Sequence, residues 1–159
     1  MFSISHALAE RLKRLRAEQR DRMGHEDARR IHIEDSEDAV LIDPGMGPMT
    51  YLTLDGRVLI DFTTWDCEET RQGLGLVMPD DNESFAALVV GAKKTGIAEL
   101  LDLLPPCPGG ASRCPKCRGV RWARVRPEYD MVMICTICSG RGWADDAMTE
   151  AARQRGDVW

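Results

Sequence analysis

Leucines near the N-terminus recur at helical spacing. Leu8, Leu12 and Leu15 lie four and three positions apart, and mostly charged or amide side chains fill the positions around them. This pattern predicts an amphipathic helix over residues 5–23, with Gly24 as its end. Because six of its residues are basic, its leucine stripe either packs on its own domain or docks on a partner or on nucleic-acid phosphates.

The next signals are those of strands. An apolar run at residues 39–42 predicts a short strand, and two longer runs flank Asp55-Gly56, a pair typical of two-residue type I′ hairpin turns. A hairpin of residues 49–54 and 57–63 on that turn pairs Thr53 with Val58, Tyr51 with Ile60 and Met49 with Phe62. These six residues would share the more apolar face, which takes the helix, and the other face is half-buried.

Helical signals return after another predicted strand at residues 74–78. Polar residues at 79–82 are typical of a helix start, and Gly96 is typical of its end. Apolar residues between them recur at i, i+3, i+4 and i+7 and predict a core-facing stripe: Phe85, Leu88, Val89 and Ala92. Residues 97–104 predict a second short helix, which a Pro-Pro pair ends.

An antiparallel β-meander with packed helices, followed by a small β-hairpin that contains four cysteines, is an α+β fold. The predicted division is a basic amphipathic helix at 1–30, an acidic α+β domain at 31–106, a linker at 107–112, a four-cysteine module at 113–145 and a tail at 146–159. The linker is assigned because its residues are rich in proline and glycine.

The module contains one motif twice, 21 residues apart. Both copies read C-x-x-C-x-G-x-x-W-A. Each C-x-x-C pair forms a tight knuckle that presents two sulfurs to one metal ion, and two knuckles close a tetrahedral site. The motif therefore predicts one structural Zn²⁺ per chain, and its ligands are Cys114, Cys117, Cys135 and Cys138.

Other positions of the motif support the knuckles. The glycines after each second cysteine predict positive φ angles that turn backbone N–H groups toward the thiolates: Gly119, Gly140 and Gly142. Trp122 and Trp143 stand at matching positions and are predicted to cover the metal site. Strand-like runs at residues 121–126 and 131–134 lie between the knuckles, and zinc supplies most of the folding free energy of so small a unit.

The repeat C-x-x-C-x-G-x-G is that of the cysteine-rich domain of DnaJ chaperones. The second copy here resembles it in full, and the first departs from it at Arg121. The resemblance covers only the cysteine module, and no His-Pro-Asp tripeptide is present. It implies knuckles of the DnaJ or zinc-ribbon type and protein or peptide binding, but no co-chaperone activity. Small proteins built on one pair of such repeats are known as protein-binding adaptors and inhibitors.

Catalysis is not predicted. A redox role for Cys114-Pro-Lys-Cys117 would need a helix N-terminus to lower a thiol pKa. A catalytic zinc needs an open coordination position, whereas four thiolates fill the shell and His6, His25 and His32 all lie far upstream. Because no nucleophile–base pair or phosphate loop is apparent either, the chain is predicted to be non-enzymatic.

The composition and the N-terminal sequence indicate the cellular environment of the protein. The sequence is 43% hydrophobic, as expected of a folded protein, and no apolar run is long enough to span a bilayer. The N-terminus lacks the basic and apolar regions of a signal peptide, which predicts a cytoplasmic protein without membrane contact. In that reducing compartment patterned cysteines are metal ligands rather than disulfides, and only Cys67 and Cys107 lack a motif partner.

The net charge of −5 is unevenly distributed. Residues 31–104 carry fifteen acidic and four basic side chains, whereas both flanking segments carry a basic excess. Six basic residues and no acidic one lie in residues 113–126, and a regular strand would direct Trp122, Arg124 and Arg126 to one side. Three interpretations fit this basic strand: it offsets the negative charge of the zinc thiolates, binds nucleic acid, or binds an acidic protein.

A weaker resemblance lies in the middle block. Tyr51-Leu-Thr-Leu-Asp-Gly-Arg-Val-Leu59, followed by acidic loops and a helix containing phenylalanine, is similar to the SUKH group of bacterial immunity and interaction proteins. The resemblance implies binding of a partner protein, and an acidic surface suits a basic one. The leading hypothesis is therefore a binding or adaptor protein that recognises another protein, and nucleic-acid binding is the alternative.

Overall fold

A computed structural model describes residues 1–23, 38–43, 49–60, 64–65, 70–71, 76–77, 82–126 and 131–156. The contacts between residues divide the chain into two compact units, Met1–Asp80 and Asp81–Trp159. Both units combine helices with small antiparallel sheets, so the α+β composition predicted from the sequence is confirmed.

The first unit begins with α1, His6–Met23. Ser5 caps the helix, because its side-chain oxygen accepts a hydrogen bond from the Leu8 amide at 3.2 Å. Leu8 and Leu12 of the predicted stripe are fully buried. α1 contacts the first strand, where the Gln19 side chain donates to the Leu41 carbonyl at 2.7 Å. The predicted end at Gly24 lies outside the described residues.

A four-stranded antiparallel sheet forms the rest of this unit, in the order β1-β2-β3-β6. Its strands are β1 Ala39–Asp43, β2 Thr50–Thr53, β3 Val58–Ile60 and β6 Leu76–Val77. Two further short strands, β4 Thr64–Trp65 and β5 Thr70–Arg71, pair with each other. Strands were therefore predicted at the right places for β1, β2, β3 and β6.

The predicted hairpin register is wrong by one residue. Tyr51 pairs with Leu59, and Leu52 pairs with Val58, so the loop holds three residues rather than two. Thr53 decides this register, because its hydroxyl oxygen accepts the Arg57 amide at 2.8 Å and its carbonyl accepts the Gly56 amide at 2.9 Å. Gly56 takes φ +88°, as the last residue of a three-residue hairpin loop commonly does.

The shifted register moves the β2 residues to the opposite faces, while Val58 of β3 stays on the face predicted to take the helix. Leu52, Val58 and Val40 share the face on which α1 lies, and Val40 borders a groove beside that helix. Tyr51 lies on the opposite face and is also fully buried. Every residue of β2 is buried, so the prediction of one half-buried face is wrong for this central strand.

The second unit contains the remaining elements. Its helices are α2 Asn82–Thr95, a 3₁₀ helix Ala98–Leu103 and α3 Asp146–Gln154. Its strands are β7 Ser112–Arg113, β8 Trp122–Arg126, β9 Met131–Ile134 and β10 Trp143–Ala144. β7 pairs with β10, and β8 pairs with β9, both antiparallel. None of the helices in the described ranges has the length and apolarity needed to cross a membrane.

α2 carries the predicted core stripe. Phe85, Leu88, Val89 and Ala92 are all buried, and Lys93 and Lys94 lie in the last turn, where they complement the helix dipole. α2 contacts β9, which belongs to the cysteine module. The compact unit that holds the four cysteines therefore begins before α2, upstream of the linker that the sequence predicted at residues 107–112.

We predict that Gly56→Ala destabilises the first unit more than its backbone angle alone requires. A Cβ there would lie 1.9 Å from the Phe2 carbonyl oxygen, and Phe2 donates its amide to Gly56 at 2.8 Å. Strain plus the lost hydrogen bond should cost about 2–3 kcal/mol, measured by native-state hydrogen exchange.

Gly96→Ala is the control for this substitution. Gly96 takes φ +72° with nothing within 4 Å of an added Cβ, so only strain remains, at about 1–2 kcal/mol. Equal losses at the two positions, each measured in its own unit, would contradict the close approach of Phe2 to Gly56.

Candidate metal centre

Four cysteine sulfurs converge in the second unit. Cys114, Cys117, Cys135 and Cys138 are all buried, and their sulfur atoms lie within 4.8 Å of one another. The Cys114–Cys135 and Cys117–Cys138 sulfur pairs are each 3.7 Å apart. Thiolates about 2.3 Å from a tetrahedral zinc ion would be about 3.8 Å from each other. The cluster could therefore hold a metal ion.

Local backbone geometry forms each knuckle. In the first, the Arg118 amide donates to the Cys114 carbonyl at 2.8 Å, and the Val120 amide donates to the Cys117 carbonyl at 2.9 Å. The predicted positive φ is observed at Gly119 (+86°) and at Gly140 (+82°) of the second knuckle. These angles turn the chain back over the sulfurs, and glycine adopts them without steric cost.

Backbone N–H groups point at the sulfurs. The Gly142 amide donates to the Cys138 sulfur at 3.4 Å. Hydrogen bonds from the Lys116 and Cys117 amides to the Cys114 sulfur favour the thiolate of Cys114. Amide dipoles of this kind offset part of the negative charge that a four-thiolate site carries beyond one divalent ion.

The four thiols cannot all ionise unaided. Burial raises the pKa of Cys114. The hydrogen bond that Cys138 donates lowers the pKa of Cys135 to about 4 and raises that of Cys138 itself, because one proton is shared between them. A divalent cation removes this conflict, since it replaces the thiol protons as the positive charge among the sulfurs.

The two repeats hold each other symmetrically. The Cys114 amide donates to the Gly142 carbonyl, and the Cys135 amide donates to the Arg121 carbonyl, each at 3.1 Å. These two bonds are equivalent under the 21-residue repeat. The first cysteine of each knuckle thus donates a hydrogen bond to a carbonyl near the end of the other knuckle. Neither knuckle therefore forms its complete structure alone.

Arg121 replaces the last glycine of the first repeat. It takes φ +82°, almost the +84° of its equivalent, Gly142. Its guanidinium donates to the carbonyls of Gly140, at 3.3 Å, and of Arg141. Its Nη1 would lie 3.2 Å from a Cβ added at Gly142, so Arg121 fills the space that this glycine leaves. Arg121, the residue at which the first repeat departs from the motif, therefore joins the two knuckles through hydrogen bonds.

α3 covers the sulfur cluster. Ala144, Ile137 and Ala152 are buried with the cysteines, and Met148 packs against them. Asp145 starts the helix, because its side chain accepts the Met148 amide at 2.7 Å. This role was missed in the sequence, although an N-cap residue and apolar positions at i, i+4 and i+8 from 144 are its signal.

The tryptophans make other contacts. The Trp143 indole N–H donates to the Pro105 carbonyl at 3.2 Å, and Lys93 of α2 lies 5.1 Å from the centre of the Trp122 ring. The apolar side chains packed on the sulfurs are those of α3 and its neighbours, so the prediction that the tryptophans cover the metal site is wrong.

Arg141 connects the second knuckle to α2. Its guanidinium lies 5.0 Å from the centre of the Phe85 ring and 5.6 Å from that of Trp143, and it donates to the Asn82 side chain. It also donates to the Cys138 carbonyl at 3.4 Å. The equivalent residue of the first repeat, Val120, is exposed, so at this position only the second repeat contacts α2.

The basic strand β8 is not regular. Arg126 pairs with Met131 and Arg124 with Met133, but a register shift then pairs Trp122 with Ile134. The predicted grouping of Trp122, Arg124 and Arg126 on one side assumes a regular strand, and this register shift removes that premise.

Among the described residues, the metal-ligand cluster includes no candidate ligand besides the four motif cysteines. Cys107 is exposed, and its sulfur lies 3.8 Å from the carbonyl oxygens of Pro108 and Ala111. His6 belongs to α1 of the first unit. Cys67, His25 and His32 lie outside the described residues. In the described ranges the four motif cysteines are the metal-ligand cluster that the structure presents.

No protein-family model, curated protein or solved structure matches this chain.

We predict that glycine at position 121 gives a more stable protein than alanine there, which is the reverse of the order found inside a helix. Arg121→Gly should unfold at a higher temperature than Arg121→Ala, because only glycine takes φ +82° freely. The difference should be about 1–2 kcal/mol, with both variants below the native protein because the guanidinium bonds are lost. Thermal unfolding of the metal-loaded protein measures it.

The control is Ala147, an exposed residue of α3 with helical backbone. There Ala147→Gly should lower the stability by about 1 kcal/mol, because glycine is less favourable than alanine in a helix. If alanine were more stable than glycine at position 121 as well as at position 147, the left-handed conformation of Arg121 would be contradicted.

We also predict that loss of the metal opens α2 together with the knuckles. Cys135→Ser, or a chelator, should raise hydrogen exchange throughout α2, β9 and α3, because Val89 and Phe85 pack on the second knuckle. Strands β1 to β3 of the first unit should keep their protection. Cys107→Ser, which alters an exposed cysteine outside the cluster, is the matched control. Continued protection of α2 would instead mean that residues 107–112 separate independent modules.

Proposed function

We propose that this chain is a non-enzymatic binding protein whose second unit is held together by one structural Zn²⁺. The observation that carries the proposal is the closed shell of four buried sulfurs. Catalytic zinc keeps one position for water or substrate, and four protein ligands leave none. A metal in this shell serves the fold, so the activity of the protein lies on its surface.

Zinc is the metal that best suits the shell. Tetrahedral sets of four thiolates select zinc or iron, and 3.7 Å between paired sulfurs is close to the edge of a tetrahedral zinc–thiolate site. The doubled knuckle also resembles that of DnaJ-type cysteine-rich repeats. In proteins with one pair of such repeats, that resemblance implies an adaptor or inhibitor that binds a protein.

Charge supports a protein partner as well. Residues 31–104 carry a large acidic excess, which suits a basic protein surface and repels nucleic-acid phosphates. The resemblance of residues 51–59 to SUKH proteins points to the same class of partner, and an immunity protein of that kind is a further alternative. We place the protein in the cytoplasm, where four reduced cysteines hold metal.

Nucleic-acid binding is the second candidate, and one observation favours it. Residues 113–126 carry six basic side chains and no acidic one. Such proteins combine a cationic groove with aromatic side chains on which bases stack. Lys93 already lies over the Trp122 ring, and a register shift in β8 separates Trp122 from Arg124 and Arg126. This separation is why we rank a protein partner first.

We predict one zinc ion per chain in protein purified without added metal. Elemental analysis should show it, with four thiols that react only after a chelator is added. Acid should release the metal, because protonation of the thiolates competes with it. Less than about half an equivalent in the native protein, disulfides among the four cysteines, or iron in place of zinc would contradict the assignment.

The proposed function predicts a partner that survives nuclease treatment. The tagged protein, purified from its own host with and without nuclease, should retain the same bound protein in both preparations. Binding to nucleic acid would instead vanish with nuclease and weaken steeply with salt. In that case Arg124→Ala with Arg126→Ala should lower the salt slope by about one to two units, which would make the second candidate the function.

A further inference from the structure

Exposed apolar side chains concentrate near the metal centre. Within the described residues the large apolar side chains classed as exposed are Met1, Val120, Met131 and Met133. Met1 is the chain terminus, and Val120 lies in the first knuckle. Met131 and Met133 are 44% and 47% exposed and stand two positions apart on β9. Alternate residues of a strand share a face, so these two form one apolar patch.

The other side of β9 is already occupied. Val132 and Ile134 are half-buried, and Ile134 lies 3.5 Å from the position of a Cβ added at Gly140. β9 also contacts α2. The strand therefore turns one face toward the unit and the methionines away from it.

The backbone register adds charge to the outer face. Arg124 stands across from Met133, and Arg126 across from Met131. Cross-strand partners lie on the same face of a sheet. We call this set the methionine face, and it consists of Arg124, Arg126, Met131 and Met133. The chain around it is also basic, since residues 113–134 carry six basic and two acidic side chains.

A surface that carries apolar and cationic residues side by side suits a ligand that carries apolar and acidic residues side by side. Methionine is flexible and polarisable, so it accommodates apolar side chains of different shapes. Arginine pairs with carboxylates through two parallel hydrogen bonds. Apolar patches rimmed by charge mark protein interaction sites. The complementary ligand carries apolar anchors among carboxylates.

We infer that the methionine face binds a segment of a partner protein in which apolar side chains alternate with aspartate or glutamate. This inference rests on the proposed protein-binding function and adds the surface and the chemistry of the partner. Nucleic acid suits this face less well, because methionines offer no planar ring for base stacking, and a register shift in β8 separates Trp122 from the two arginines.

The test selects peptides from a displayed library of random 12-residue sequences against the full-length, zinc-loaded protein. The enriched peptides should combine apolar residues with aspartate or glutamate. Fluorescence anisotropy with the labelled winners should show at least about tenfold weaker binding to the variant Met131→Ser with Met133→Ser. Arg124→Ala with Arg126→Ala should weaken binding about three- to tenfold.

Matched controls separate this face from general effects. Val120→Ser removes another exposed apolar side chain, and Arg153→Ala with Arg155→Ala removes two exposed charges elsewhere in the unit. Both should leave peptide affinity within about twofold. Full zinc content and unchanged hydrogen exchange of β9 show that each variant is folded.

Several outcomes overturn the inference. Enriched peptides without acidic residues, winners that bind the methionine variant equally well, or a library that yields no winners would remove the methionine face as the binding surface. The protein-binding proposal survives these results if the partner remains after nuclease. Sub-micromolar binding of single-stranded DNA or RNA that requires Arg124 and Arg126 would overturn both. A dimer in light scattering that the methionine variant abolishes would make a second copy the occupant and also refute the inference.

Discussion

Four cysteine sulfurs that bind a metal only as thiolates are buried together, and the second unit is built around that conflict between charge and burial. Burial disfavours the thiolates, whereas amides aimed at the sulfurs favour them, and a shared proton satisfies only one pair. A divalent cation resolves the conflict at all four positions. Because α2 and α3 pack on the knuckles, we expect the order of both helices to depend on whether such an ion is bound.

The two repeats have the same backbone and different surroundings. Position 141 is an arginine held between Phe85 and Trp143, and its equivalent, Val120, faces solvent. Arg121 and Gly142 take the same φ, but only the arginine reaches across to the other repeat. Equivalent positions of the two repeats therefore differ in exposure, with Arg141 packed on α2 and Val120 at the surface.

The same division of faces recurs in the β8–β9 ribbon. Its inner face carries Trp122 and Ile134 and lies toward α2, while its outer face carries exposed methionines in register with arginines. A two-stranded ribbon is marginal by itself, so its rigidity comes from the two knuckles, which both adjoin its Trp122–Ile134 end, and from the contact of β9 with α2. A surface held in this way loses little conformational entropy when it binds, which favours affinity from few contacts.

Short-range patterns in the sequence determined the helix of residues 6–23, the buried stripe of α2 and the convergence of the four cysteines, because spacing along the chain sets each of them. Long-range contacts decided the rest. The hairpin loop holds three residues, with the Thr53 hydroxyl accepting the Arg57 amide, and its register moved the β2 residues to the opposite faces, while a register shift in β8 separated Trp122 from Arg124. The sequence carries the start and the apolar spacing of α3, but only the tertiary structure shows that this helix packs on the sulfurs of both knuckles. Periodicity assigns residues to faces only while the register is regular, and single hydrogen bonds or packing contacts change that register at little cost.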